Sequence, residues 1–154
     1  MQARFDAAKA APGALRAMYG LGKYTDDCGI EESLQDLVKI RASQINGCAY
    51  CIDMHTKDAR ARGETEQRIY ELSAWRETPF YTDRERAALA WTEAVTLVSQ
   101  THVPDEVYEE VRGHFTEEEL VNLTMVIVTI NGYNRLAVSF RQVPGTYQSN
   151  VAKR

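Results

Sequence analysis

Ser43-Gln44-Ile45-Asn46-Gly47-Cys48-Ala49-Tyr50-Cys51-Ile52-Asp53-Met54-His55 reads as one helix ending and the next beginning. Asn46-Gly47 is the punctuation: glycine admits the turn that closes a helix, and asparagine can accept from the free N–H groups that open one. This places Cys48 in the first turn of the second helix. At about 100° per residue, Cys48, Cys51 and His55 fall within an arc of roughly 60°, so two sulfurs and an imidazole share one face. Ile52 and Ala59 continue that face, while Asp53, Thr56, Lys57 and Arg60 take the other side, so the reactive face turns inward. A C-x-x-C pair with a histidine four residues on can form a redox-active dithiol. A thiol near pKa 8.5 is mostly protonated at neutral pH, and a helix N-terminus or an adjacent imidazolium can lower that value. The helix dipole favours a thiolate at Cys48, and the four-residue spacing favours Cys51 as the partner of His55. Both assignments stand at this point.

Working outward, helical periodicity recurs and no alternating segment is bounded by hairpin turns, which predicts an all-α chain. Thr82-x-x-Glu85 and Thr116-x-x-Glu119 match the capping box, and Pro104 suits a first helical turn. The expected helices lie near 3–18, 31–45, 48–62, 65–77, 83–100, 104–113 and 117–142, with Gly20-Leu21-Gly22, Gly63 and Thr78-Pro79 as breaks. They describe a single-domain helical bundle of about six to seven helices over residues 1–154, with an irregular tail at 144–154. Leu120 to Ile130 is apolar on nearly every side, which suits a central helix covered by its own subunit and by neighbours in a homo-oligomer.

Composition removes whole classes of function. The 154 residues carry 18 Lys and Arg against 22 Asp and Glu, a net charge of −4 with no basic run, so a nucleic-acid partner is not expected. The N-terminal stretch Met1 to Lys9 has no signal-type apolar core and Leu120–Ile130 is too short to span a bilayer, so no membrane partner is expected either. Three cysteines, two of them in C-x-x-C, fit a reducing, cytoplasmic setting better than a secreted disulfide framework. No cofactor is read from the sequence.

The run Leu34 to Gly63, above all Arg41-Ala42-Ser43-Gln44-Ile45-Asn46-Gly47-Cys48-Ala49-Tyr50-Cys51-Ile52-Asp53-Met54-His55-Thr56, resembles the alkylhydroperoxidase D (AhpD)-like branch of the carboxymuconolactone decarboxylase family. The likeness extends through Phe5–Lys23, Arg84–Trp91, Phe115–Leu120 and Asn131–Leu136. It implies an all-helical subunit that assembles as a dimer, trimer or hexamer, and a dithiol peroxidase that reduces hydroperoxides with thiol donors. Some relatives draw electrons from lipoylated proteins and pass them to peroxiredoxins. Carried onto this chain, the resemblance makes Cys51 peroxidatic, Cys48 resolving and His55 the family histidine. The family glutamate twelve residues before the first cysteine falls on Asp36, one methylene shorter, with Glu31 and Glu32 nearby as substitutes.

Other readings compete. The pair and His55 are soft ligands suited to zinc, but no second C-x-x-C completes a tetrahedral site, and no metal is assigned. Cysteine also packs as a small hydrophobe. A cofactor-free decarboxylase, for which the wider family is named, needs no cysteine pair, and a non-enzymatic redox sensor or zinc-binding helical module needs no turnover. Cys28, in Asp26-Asp27-Cys28-Gly29, sits beside acids that oppose a thiolate and receives no catalytic role. His102 and His114 belong at helix ends; Trp75, Trp91, Tyr108 and Phe115 read as core. Asn131 and Asn134, beside Arg135, put amides on the Leu120–Leu123–Ile127 stripe, where they serve either as a wall near the dithiol or as a hydrogen-bond network at an interface.

Overall fold

A computed structural model describes residues 1–151 of the chain; residues 152–154, the end of the expected tail, lie outside the described residues. The order is α1 (Ala7–Ala10), α2 (Pro12–Asp26), α3 (Glu32–Ile45), α4 (Ala49–Ala61), α5 (Glu66–Glu71), a 3-10 segment (Leu72–Glu77), α6 (Asp83–Thr96), α7 (Val98–Thr101), α8 (Asp105–Arg112) and α9 (Glu117–Phe140). The architecture is all-helical, as expected, with more and shorter helices than periodicity suggests.

Each extra boundary has a local cause. Pro12, with its fixed φ and no N–H to lose, opens α2 after a break at Ala11, so the expected helix over 3–18 becomes two. Leu97 (φ −99°, ψ 30°) divides 83–100 into α6 and α7, and α5 tightens into the 3-10 segment where Ala74 leaves helical geometry. Pro104 is the residue before α8 and not within its first turn. Both capping boxes form, at Thr82/Glu85 and Thr116/Glu119. Gly63, at φ +102°, ends α4, and residues 144–151 are irregular.

One expected break does not occur: Gly20-Leu21-Gly22 lies inside α2. Isolated glycine costs a helix about 1 kcal/mol, and here close packing of α2 against α9 overrides that preference. A Cβ at Gly22 would sit 3.1 Å from the Tyr133 hydroxyl, and one at Gly132 would sit 2.9 Å from Met18 Cε. Tyr133 donates its hydroxyl proton to the Met18 carbonyl at 3.0 Å, pinning the two helices at their glycines.

α3 is central and packs on α4, α6 and α9. Leu37, Val38, Ile40 and Ala42 are fully buried along it. Trp75, Trp91 and Phe115 join the core as expected, whereas Tyr108 is 41% exposed, its ring tilted 52° to that of Trp91 at 6.3 Å. His102 caps α7 in a left-handed conformation, and His114 follows α8; both are exposed at helix ends.

Candidate active site

The turn between α3 and α4 builds the site. Gly47 takes φ +65°, which an L-residue with a side chain rarely adopts, and the carbonyls ending α3 are satisfied from it: Cys48 N–H donates to Ser43 O at 2.9 Å and Gly47 N–H to Gln44 O at 3.2 Å. The chain leaves extended (Cys48 φ −87°, ψ 90°), and Cys48 is therefore the N-cap of α4, one step before its first turn. The Cys48 sulfur does the capping itself, accepting the Cys51 backbone N–H at 3.4 Å. Asn46 does not cap α4 as expected. It closes α3, and its amide donates to Asn131 Oδ1 at 3.0 Å and Asn134 Oδ1 at 2.9 Å.

Those bonds start a network under the dithiol. Asn134, 1% exposed, donates to Ser43 Oγ at 3.0 Å; Asn131 donates to Thr96 Oγ1 at 3.1 Å; Arg135 donates to the Asn131 carbonyl and side-chain oxygens at 2.9 Å. It is a network within one subunit, clamping α9 to the α3–α4 turn, and Asn134 also reaches the cysteine pair, where its amide favours ionised sulfur.

Both sulfurs are buried, each residue 1% exposed. The Cys48 thiol is drawn down to about 7, chiefly by the hydrogen bond from the Cys51 thiol, against burial and with help from the Cys51 N–H and Asn134. Cys51 moves the opposite way, because its proton is the one shared and its own ionisation would set two negative sulfurs side by side. Once Cys48 ionises, as pH rises through about 7, the reduced pair holds one proton between two sulfurs. Access splits differently: Cys51 and His55 line a cavity of about 700 Å³, and Cys48 lies behind Cys51.

His55 is half-buried on the cavity wall. Burial first, then the charges of Lys39 and Arg62, push its pKa down to about 3, so the imidazole is neutral at pH 7. Asp36, 4% exposed, is pushed up to about 6 by burial, while its ion pair opposes the rise. Arg62 at the end of α4 donates to both carboxylate oxygens, at 2.8 and 2.9 Å. Among the described residues, no hydrogen bond joins Asp36 to His55 or His55 to Cys51. Glu31 is paired with Arg84 and Glu32 lies 3.6 Å from Arg62, so neither stands in for Asp36. Cys28 is unpaired with the other cysteines and packs against the core, its carbonyl accepting from Asn122 at 2.9 Å. Among the described residues no three His, Cys, Asp or Glu side chains converge on a metal position.

The remaining cavity wall comes from distant sequence. Phe5, Leu15, Met54, Ile130, Leu136 and Phe140 give it an apolar lining. The N-terminal arm closes one side: Arg4 donates from its backbone to Phe140 O at 3.0 Å and from its guanidinium to Ser139 O at 2.9 Å, and the Phe5 and Phe140 rings lie 4.7 Å apart.

This arrangement can be compared with known proteins. The family model described as "Carboxymuconolactone decarboxylase family" matches residues 12–94, more than half of the chain and the whole of the α3–α4 dithiol unit. The chain belongs to the carboxymuconolactone decarboxylase family. Within it, the AhpD-like branch is the one it matches: a crystal structure of an Agrobacterium tumefaciens protein of unknown function, proposed as the antioxidant defence protein AhpD, is 45% identical, with a TM-score of 0.92 over 95% of this chain and 100% of that one. The uncharacterized protein YdfG of Bacillus subtilis (strain 168) is 50% identical over 129 residues, 84% of this chain and 88% of its own. The debrominase Bmp8 shares the fold at 24% identity and a TM-score of 0.78, covering 90% of this chain and 74% of that one.

Three parts of this AhpD-like site escape a reading of the motif. Arg62 lies beyond the motif and meets Asp36 only because α3 and α4 are antiparallel neighbours. The N-terminal arm carries no signal linking it to α9. Lys39 does carry one: a charge inside Leu37-Val38-Lys39-Ile40, between neighbours that are fully buried.

Proposed function

We propose that this AhpD-like protein is a thiol-dependent peroxidase, with Cys51 as the attacking sulfur, Cys48 as the resolving one, His55 as the proton carrier and Asp36, through Arg62, as a positioning group. One observation carries the reading: a buried dithiol whose Cys48 thiol is drawn down to about 7, with only its Cys51 member lining a mainly apolar cavity beside a neutral imidazole.

The steps follow from that arrangement. The proton shared by the pair shifts to Cys48, so Cys51 becomes the thiolate without a second negative sulfur beside it; that proton later leaves Cys48 through His55, where burial and the neighbouring cations disfavour the imidazolium, so it is passed on and not kept. The Cys51 thiolate attacks the terminal peroxide oxygen, the O–O bond breaks, Cys51 becomes a sulfenic acid, and the proton from His55 leaves with the alkoxide as an alcohol. The Cys48 thiolate attacks the Cys51 sulfur, forming the disulfide and expelling hydroxide, which leaves as water after protonation. An external thiol or lipoyl-type dithiol returns two electrons by exchange. Such a donor belongs to a reducing, cytoplasmic compartment, and a peroxiredoxin is a fitting acceptor of the same electrons. Among the described residues no helix is long and apolar enough to cross a membrane.

The decisive experiment mixes fully reduced protein with one equivalent of organic hydroperoxide, quenches within seconds, and locates oxidation by intact-mass and peptide mass spectrometry. The expected result is loss of two hydrogens as a Cys48–Cys51 disulfide. Cys51→Ser abolishes turnover; Cys48→Ser stops at a sulfenic acid or mixed disulfide. A pair oxidised no faster than Cys28 would overturn the proposal and leave cofactor-free decarboxylation, which needs no thiol, as the better reading.

A further inference from the structure

Lys39 is the one lysine or arginine among the described residues lining the Cys51 cavity. Its side chain is only 16% exposed, and its ion-pair partner is Asp26 at a loose 3.5 Å, itself 68% exposed. Burying most of an ammonium costs free energy unless an acceptor meets it closely. Asp36, the carboxylate nearest in sequence, already accepts on both oxygens from one guanidinium nitrogen of Arg62. His55 is neutral and offers no charge. The other carboxylate on the cavity wall, Asp6, caps α1 by accepting from the Ala8 and Lys9 amides and is paired with Lys9 at 3.7 Å. A cation therefore lines a mainly apolar chamber, its one ion pair the loose contact to Asp26.

We infer that the cavity binds amphipathic carboxylates, the anionic head on Lys39 and the hydrocarbon body against Phe5, Met54, Leu136 and Phe140. A single negative charge fits the site better than a phosphate or sulfate ester. Lys39 is one compact point charge, and Asp6 and Asp26 at the margin oppose a second negative charge. The apolar wall excludes small polar acids, which have no surface to bury there. A volume of about 700 Å³ lies within the range of small-molecule pockets. The inference rests on the proposed peroxidase chemistry only in naming the substrate a carboxylate-bearing hydroperoxide; binding of the amphipath itself needs no cysteine.

The test uses ligands that cannot react. Reduced full-length protein is titrated calorimetrically with decanoate and with decanol, each below its aggregation limit. Wild type is expected to bind decanoate on the order of tenfold more tightly than decanol, the size of one charge-assisted contact. Lys39→Met should erase that preference while leaving decanol binding in place, which also shows the variant is folded; Lys39→Arg should keep most of it. Equal binding of the two ligands by wild type, no binding of either, or an unchanged preference in Lys39→Met overturns the inference. Disulfide formation with hydroperoxide is read separately. If it occurs without any carboxylate preference, this inference alone fails; if the preference appears without peroxide-driven oxidation, the peroxidase reading alone fails.

Discussion

Cys48 and Cys51 differ in the direction of their hydrogen bonds. Cys48 Sγ receives, from a backbone N–H at 3.4 Å and from the neighbouring thiol, while Cys51 gives. Acceptance at an N-cap stabilises negative charge, so the sulfur with the lower pKa is the one turned away from the cavity. We expect thiolate ultraviolet absorbance of the reduced protein to show one thiol titrating near pH 7 and no second one near it. Asn134→Asp keeps the shape but replaces the donating amide with a negative charge, and the midpoint should rise. An unmoved midpoint would remove Asn134 from the account. The linked stability has a definite sign. Since the folded-state value of about 7 lies below the ordinary 9.0, the Cys48 contribution is present above pH 9.0 and is lost as pH falls through about 7.

Among the elements, the α2–α9 contact shows packing overriding helix propensity. Gly20 and Gly22 occupy the same helix, yet a Cβ at Gly20 meets nothing within 4 Å, while one at Gly22 lies 3.1 Å from a hydroxyl tethered to Met18 O. Gly20→Ala should stabilise the protein by about 0.5–1 kcal/mol, through helix propensity and a less flexible unfolded chain. Gly22→Ala gains the same propensity but must displace Tyr133, and we expect it to be neutral or destabilising. Urea midpoints of the two variants measured side by side decide this, and equal stabilisation by both would show that the contact yields freely. Tyr133 lines the Cys51 cavity, so the same contact fixes part of the site.

At the scale of the whole molecule, α9 shows what a single subunit leaves uncovered. Its inner positions Leu123, Val126 and Ile127 are fully buried, but Val121 is 61% and Val128 is 46% exposed, seven residues apart on one stripe. Exposed valines in register on a long apolar helix suit contact with a second copy of the chain. We expect a homo-oligomer in sedimentation analysis at micromolar concentration, and Val128→Asp should shift the population toward monomer without unfolding it. A wild-type monomer would end this expectation.

What the sequence determined alone was set by near neighbours: helical class, both capping boxes, the glycine stops at 47 and 63, and the presence of Cys48, Cys51 and His55 on one short segment. These depend on backbone sterics and on side chains within one or two turns of each other, so spacing is enough to read them. The tertiary structure decided what depends on helices meeting. It held Asp36 on Arg62 with, among the described residues, no hydrogen bond to His55, and it brought Asn134 to the sulfurs. It also ran α2 through two glycines because α9 presses on it, and it brought the N-terminal arm and Lys39 to the Cys51 cavity. Burial moves a pKa, and contact displaces a propensity, through partners many residues distant, and no periodicity in the chain records which helices will be neighbours.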